Sequence, residues 1–230
     1  MKNIKALTLA FLLALFGSSQ SLAEYGVTVG VTGSMAMIDA SGQETEGGEI
    51  SRAEVTNNTA IGSIFIEYND ILGSGLSIGV DYIPGSADLS SSTKVREDVE
   101  TSVTDTTTTT STSRSQKAQA EIDNHLTYYV TYGAGGAYVK AGYIQADLNT
   151  LESLPTGSKY GNETLDGVVL GAGVEFDVYA NTVGRLEFTH TDYGDIDLAS
   201  SVARSGVATN NKIEADIDVT MLSASLGYKF

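Results

Sequence analysis

Cysteine and tryptophan are absent from this 230-residue chain, and histidine and proline each occur only twice. The lack of cysteine excludes disulfide bonds, thiolate metal ligands and cysteine nucleophiles. Two histidines provide little material for a histidine-rich metal site or an acid–base relay, and we expect no cofactor. Lysine and arginine total 13 against 29 aspartates and glutamates, so the formal net charge is −16. Because a basic surface cannot be built from so few cations, we expect no nucleic-acid binding through phosphate contacts.

The first 23 residues have the three parts of a secretory signal peptide. Lys2 and Lys5 supply positive charge, residues 6–16 are an apolar run, and residues 21–23 (Ser-Leu-Ala) form a small-x-small cleavage site. This apolar run is too short to cross a bilayer, which requires about 20 residues. We therefore predict a signal peptide at residues 1–23 and a single mature domain at residues 24–230.

Apolar residues recur at every second position in eight segments of the mature chain. In the first segment, Val27, Val29 and Val31 fall on one parity, and Thr28 and Gly30 fall on the other. Successive side chains of a strand point to opposite faces, so each segment reads as a strand with one apolar face. The opposite face consists mostly of glycine, alanine, serine and threonine with isolated charges.

The connections between these strands alternate between long and short. The long hydrophilic connections are residues 39–58, 84–120, 149–166 and 194–212. The short ones are residues 69–75, 133–136 and 177–182. This order predicts an up-and-down meander with loops at one end and turns at the other. A hairpin hidden within residues 84–120 would raise the strand number from eight to ten, and the sequence leaves that alternative open.

The small second face distinguishes a membrane barrel from a soluble sandwich, whose solvent face carries many charged residues. Small side chains fit the narrow interior of an eight-stranded barrel, and outward apolar strands are stable in lipid. Ten residues at about 3.3 Å each, tilted by about 40°, rise about 25 Å, which matches an outer-membrane apolar band. We predict an all-β, eight-stranded antiparallel transmembrane barrel with four long extracellular loops and three short periplasmic turns.

The last ten residues, Met221–Phe230, resemble the terminal strand of bacterial outer-membrane barrels. Leu222, Leu226 and Tyr228 alternate with small residues before the final aromatic Phe230. The resemblance implies that these four residues form the signal recognised by the barrel assembly machinery of Gram-negative bacteria. Residues 137–143 and 167–176 are similar to strands of the OmpA-like and OmpX-like small barrels. In contrast to full-length OmpA, no peptidoglycan-binding domain follows, so we expect no cell-wall tether.

Several charged residues share the predicted inner face with His125. They are Glu67, Asp81, Asp123, Lys140, Glu175, Arg185, Glu187 and Lys229. Buried charges must be paired or hydrogen-bonded, so we predict a network that fills the lumen. The alternative is a narrow ion path lined by the same residues.

The function that fits this barrel best is a structural or surface-interactive role, such as adhesion or recognition through the loops. A narrow channel for ions or small solutes is the first alternative, and a lipid A-modifying enzyme is the second. Small barrels that deacylate lipid A resemble one another in a His-x-Ser pair, whereas here His125 precedes Thr127 and His190 precedes Asp192. We therefore expect no enzyme. The expected partners of this monomer are outer-membrane lipid, lipopolysaccharide and the assembly machinery.

Overall fold

The computed structural model describes residues 26–46, 49–89, 94–102, 110–118, 120–151, 159–201 and 210–230. The signal peptide predicted at residues 1–23 lies outside these ranges and stays a prediction. The strands are β1 Val27–Glu46, β2 Glu49–Tyr68, β3 Leu76–Ile83, β4 Ala87–Asp88, β5 Lys94–Ser102, β6 Thr110–Ala118, β7 Ala120–Ala134, β8 Ala137–Thr150, β9 Glu163–Tyr179, β10 Thr182–Tyr193, β11 Ile196–Ala199 and β12 Lys212–Lys229. Within those ranges, no helix is long and apolar enough to cross a membrane.

Eight strand positions close into an antiparallel ring. The order is β1-β2-β3-β7-β8-β9-β10-β12, and β12 pairs back onto β1 from Thr28↔Lys229 to Thr45↔Lys212. The short β4 continues the position of β3 beside β7, and β11 continues that of β10 beside β12. The predicted eight-stranded up-and-down barrel is therefore confirmed.

The second long connection contains a hairpin. β5 and β6 pair with each other from Lys94↔Ala118 to Ser102↔Thr110 and form a separate two-stranded sheet. The hairpin that the sequence left open therefore exists, but it does not enter the ring.

The three short turns lie where the sequence predicts them, between β2 and β3, β7 and β8, and β9 and β10. The β7–β8 turn consists of Gly135 and Gly136, whose φ angles are +63° and +88°. Tight hairpin turns of this kind require positive φ, which glycine adopts without strain. The chain ends at the same end of the barrel, where the Phe230 N–H donates to the Val27 carbonyl at 2.9 Å. We call this the short-turn end and the opposite one the long-loop end.

Apolar side chains cover the outside of the barrel toward the short-turn end. Val31, Leu170 and Leu226 are 58%, 61% and 55% exposed, whereas Thr28 and Ser223 on the opposite parity are buried. The outward direction of the apolar face is therefore confirmed. In water this surface would be unstable, and in lipid it supplies the apolar band that holds the barrel.

Glycines on the inner face make room for aromatic rings. A Cβ on Gly79 would lie 2.4 Å from the Tyr129 ring, and one on Gly30 would lie 2.5 Å from the Phe65 ring. Both distances are below any tolerable contact, so each ring occupies the volume that a side chain would take. The small residues that the sequence places on the inner face therefore leave room for a few large aromatic side chains.

Toward the long-loop end the two faces exchange character. On β12, Ile217 and Val219 point inward and are buried, while Asp216 and Asp218 point outward. The buried apolar residues of this region form one cluster inside the ring, which we call the upper core. Its members are Ala36, Ile38, Ile122, Ile144, Ala146, Leu148, Leu165, Val169, Tyr193, Ile196, Leu198, Ile217 and Val219. This half of the barrel is therefore built like a water-soluble one.

The exchange of faces explains why the first predicted loop is wrong. Residues 39–58 were expected to form a loop, but β1 and β2 stay paired as far as Glu46↔Glu49. Residues 39–58 keep the alternation of a strand, but their outward side chains are polar, so the composition of the segment resembles that of a loop. The predicted loop at 149–166 is also shortened, because β8 runs to Thr150 and β9 begins at Glu163.

We predict that deletion of residues Ser90–Ser115 leaves the ring intact, because β5 and β6 pair only with each other among the described strands. Long loops add little closure entropy, so their loss changes stability little. The deleted protein should keep heat-modifiable migration in gels, with the full chain as the control. Loss of the compact, fast-migrating form would show that the hairpin is needed for ring closure.

Candidate functional site

The charged residues of the lumen gather in two levels, and the lower level lies nearest the short-turn end. Arg185 on β10 donates from Nη1 and Nη2 to the two carboxylate oxygens of Glu67 on β2, at 2.9 and 2.6 Å. Its Nε donates to Glu175 on β9 at 2.8 Å, and Lys229 Nζ donates to the other Glu175 oxygen at 2.6 Å. These contacts therefore join the neighbouring strands β9, β10 and β12 to β2, which lies elsewhere in the ring.

Burial makes the Arg185–Glu67 pair the most demanding contact of this level. Arg185 is 8% exposed and Glu67 is 2% exposed. The bidentate geometry satisfies both carboxylate oxygens, which is the arrangement that a buried arginine pair requires. The Arg185 guanidinium also lies 5.2 Å from the Phe65 ring centroid, where the ring face attracts the cation.

The upper level contains a second ion pair. Lys140 Nζ on β8 donates to Glu187 Oε1 on β10 at 2.8 Å, and the Tyr138 hydroxyl donates to Glu187 Oε2 at 2.9 Å. The Lys140 ammonium also lies 4.2 Å from the centroid of the Tyr129 ring. The charge of Lys140 is therefore held by a carboxylate and an aromatic face together.

Asp81 on β3 completes the upper level. Its Oδ2 accepts a hydrogen bond from the Ser63 hydroxyl at 2.9 Å. Asp81, Ser63 and Lys140 line a cavity of about 50 Å³ whose upper wall includes His125 and Ile144. Such a polar space can hold a few water molecules.

Asp123 does not belong to this network, and its predicted place on the inner face is wrong. The β7–β8 register shifts between Asp123 and Leu126, where β7 carries one extra residue, and Asn124 there has φ +51°. A bulge of one residue reverses the parity of the strand before it. Asp123 therefore lies on the outside beside Asp147, and Ile122 lies in the upper core. The other seven predicted charges, and His125, lie inside the barrel.

Tyr129 and Tyr138 are inner-face residues that the charge pattern alone does not reveal. The signal that identifies them is parity, because Tyr138 lies two residues before Lys140 and Tyr129 two residues after Thr127. Glycines opposite them give a second signal, since a Cβ on Gly173 would lie 2.6 Å from the Tyr138 ring.

The residues implied as an assembly signal lie together at the end of β12. Leu222, Leu226 and Tyr228 point outward and are 63%, 55% and 49% exposed. The Phe230 ring packs edge-to-face on Tyr228 at 5.0 Å between centroids. These positions form a continuous outward apolar stripe where the ring closes.

Comparison with known proteins gives a family and a fold. The sequence matches the family described as outer membrane protein beta-barrel domain over residues 8–230. No curated protein sequence matches the chain. Its structure is similar to that of OprG from Pseudomonas aeruginosa, with a TM-score of 0.55 and 11% identity over 90% of this chain and 96% of that one. Ail from Yersinia pestis gives a TM-score of 0.40 and 13% identity over 86% of this chain and 99% of that one.

A third solved structure, whose name states an activity, is also similar. It is the outer membrane protease OmpT from Escherichia coli, with a TM-score of 0.49 and 12% identity, over 89% of this chain and 97% of OmpT. At such low identity a shared architecture does not transfer an activity.

We predict that Arg185→Met lowers the free energy of unfolding by about 3–5 kcal/mol, because it leaves the buried Glu67 carboxylate without its main partner. The double variant Arg185→Met with Glu67→Leu should lose less, since no buried charge then remains at that position. Urea unfolding in lipid vesicles measures both.

Lys140→Met is the matched control for this prediction. Lys140→Met should lower the free energy of unfolding by less, because Glu187 keeps its hydrogen bond from the Tyr138 hydroxyl. In addition, the Lys140 and Glu187 side chains are 11% and 13% exposed, so water can reach the carboxylate that is left. A double variant that is less stable than Arg185→Met alone would contradict the assignment of Glu67 as the unpaired charge.

Proposed function

Because the chain belongs to the outer membrane protein beta-barrel family and is located in the bacterial outer membrane, we propose that it is a closed-lumen barrel with a structural and surface-interactive role. The observation that carries this proposal is the filled interior. Ion pairs occupy the lower half of the lumen, and the upper core occupies the other half.

The filled interior argues against the alternative of a narrow channel. An ion would have to displace the Arg185–Glu67 pair and then cross a layer of packed isoleucine, leucine and valine. Neither layer supplies the continuous polar lining on which conduction depends. The cavity between them, about 50 Å³, is a pocket rather than a path.

The strand extensions support the surface-interactive part of the role. β1 and β2 each have 20 residues, about twice the length that crosses an outer membrane. In this class of barrel the short turns face the periplasm and the long connections face the exterior, so the extensions and the β5–β6 hairpin would be presented outside the cell. The upper core makes that platform rigid.

The same geometry supports the proposed partners. The exposed apolar band would contact outer-membrane lipid and lipopolysaccharide, and the apolar stripe at Leu222, Leu226, Tyr228 and Phe230 would be recognised by the assembly machinery. The ladder closes from β12 to β1, so the membrane half needs no second chain to cover an edge, and we propose a monomer.

One group of side chains on the outer surface bears on the second alternative, a lipid-modifying enzyme. His190 Nδ1 lies 3.1 Å from the Thr220 hydroxyl, and His190 Nε2 lies 3.7 Å from Asp218 Oδ1. The second distance is beyond hydrogen-bond range. All three residues lie within paired strands, where backbone N–H groups are engaged in the ladder and do not form an oxyanion hole. We therefore propose a polar interfacial contact here and no catalytic role.

We predict that the refolded full chain gives no stable, ion-selective current steps in planar bilayers, because ion pairs fill the lower half of the lumen and the upper core fills the other half. Refolding is verified first by heat-modifiable migration. Stable steps that Lys140→Ala or Arg185→Ala abolishes would contradict the closed lumen and restore the channel.

We also predict that lipid A has the same mass with and without expression of the chain, as measured by mass spectrometry. His190→Ala is the matched control. A loss of one acyl chain that requires His190 would establish an enzyme and overturn the non-catalytic role.

A further inference from the structure

The charges of the two lumen levels do not balance. The levels contain three cations, Lys140, Arg185 and Lys229, and four carboxylates, Glu67, Asp81, Glu175 and Glu187. Every one of these carboxylates except Asp81 has a lysine or arginine nitrogen at 2.6 to 2.8 Å. Among the described residues Asp81 forms no ion pair, and its hydrogen bond comes from the neutral Ser63 hydroxyl. One negative charge inside the barrel is therefore left without a partner of opposite sign.

Asp81 lines the cavity of about 50 Å³ below the upper core, which we call the lumen cavity. Serine and threonine side chains make up much of its wall, and they are Thr32, Ser34, Ser63, Thr127, Thr189, Thr191, Ser223 and Ser225. A polar space of this size can hold a small ion together with a few water molecules. The unpaired carboxylate therefore faces a chamber that is rich in oxygen atoms.

One of these hydroxyl groups has no partner within the described part of the chain. The hydroxyls on the β1 and β12 wall bond to each other, Thr32 to Ser225 at 2.9 Å and Ser34 to Ser223 at 2.8 Å. Thr191 on β10 is 0% exposed, and its Oγ1 has no hydrogen-bond partner. Leaving a buried hydroxyl unsatisfied is costly, so such groups normally bond to protein or to ordered water. The Thr191 hydroxyl therefore indicates that the lumen cavity has an occupant.

The chemistry of the wall favours a hard cation as part of this occupant. Hydroxyl and carboxylate oxygens are the ligands that alkali and alkaline-earth ions prefer. An anion would be repelled by the unpaired Asp81 carboxylate. A divalent ion would leave an excess positive charge in the lumen, and such ions usually take more than one carboxylate. A single monovalent ion brings the total charge of the two levels to zero.

We propose that the lumen cavity binds one sodium-sized monovalent cation at the Asp81 carboxylate. Strands β3 and β10 lie on opposite sides of the ring, so water molecules complete the shell of the ion and link it to the Thr191 hydroxyl. The ion is structural, because it neutralises the lumen without opening a path through the Arg185–Glu67 pair or the upper core. This inference does not depend on the proposed surface role, and the conductance and lipid A measurements can fail independently of it.

The test is equilibrium urea unfolding of the refolded full chain in zwitterionic phosphatidylcholine vesicles. Sodium chloride is exchanged for choline chloride at constant ionic strength, because choline is too large for the lumen cavity. At equilibrium the ion binds while the ring forms, so the measurement needs no entry path through the folded wall. For a dissociation constant of about 10 mM, sodium at about 100 mM should lower the equilibrium constant of unfolding about tenfold.

Three variants separate the lumen cavity from the rest of the protein. Asp81→Asn should lose the sodium response and be at least as stable as the natural chain in choline, because no unpaired carboxylate is then buried. Its matched control is Asp192→Asn, which removes an exposed carboxylate from β10 and should keep the tenfold response. Thr191→Val keeps the shape of the side chain without the hydroxyl, so it should be more stable in choline and respond less to sodium.

Three results would overturn the proposal. Equal stability of the natural chain in sodium and in choline would mean that water, or a proton on Asp81, satisfies the lumen cavity without an ion. A sodium response that Asp81→Asn keeps or that Asp192→Asn loses would place the ion on the outer surface. A response that is absent from the natural chain and appears in His125→Gln would identify protonated His125, which lines the same cavity, as the counter-ion. Heat-modifiable migration verifies that each variant is folded.

Discussion

A β-strand has two faces, and the surrounding medium decides which of them is apolar. In this barrel the medium changes partway along nearly every strand. Leu222 and Leu226 face outward into the predicted lipid, whereas farther along the same strand Ile217 faces inward and Asp216 outward. The strands of one ladder therefore form a membrane barrel at one end and resemble a water-soluble barrel at the other. On β12 the period of two continues through the change, whereas on β7 the bulge at Asn124 reverses it.

The two interiors solve the same packing problem by different chemistry. Where the outside is apolar, the inside holds paired charges over aromatic rings, because a carboxylate or guanidinium there has hydrogen-bond partners across a narrow axis. Where the outside is in water, the inside is an ordinary apolar core. Both fill the ring, and this filling is the observation behind the proposed role of the outer surface and the long-loop end. Within the described residues, β2 from Ile50 to Ser63 is the one long stretch of ladder with a backbone-paired strand on one side only.

The strand number, the short turns and the outward apolar face could be predicted from the sequence because each depends on local spacing. The residues facing the lumen were mostly predictable for the same reason. Their partners were not, since Glu67 and Arg185 are 118 positions apart and meet only through the register of several strands. Asp123 was misplaced because one extra residue at Asn124 reverses parity, which composition does not show. The first loop was misread because a strand in water has polar residues on the outside, as loops do.

The change of medium also fixes where the barrel sits in the bilayer. Met35, Leu222 and Phe188 are direct neighbours across β1, β12 and β10, and four residues farther along, Asp39, Asp218 and Asp192 are direct neighbours on the same outward face. Sinking of the barrel would press this carboxylate row among acyl chains, and lifting would expose the apolar row to water. A bilayer of different hydrophobic thickness must therefore deform around the protein or tilt it, so the distance from this carboxylate row to the short-turn end sets the membrane thickness to which the chain is matched.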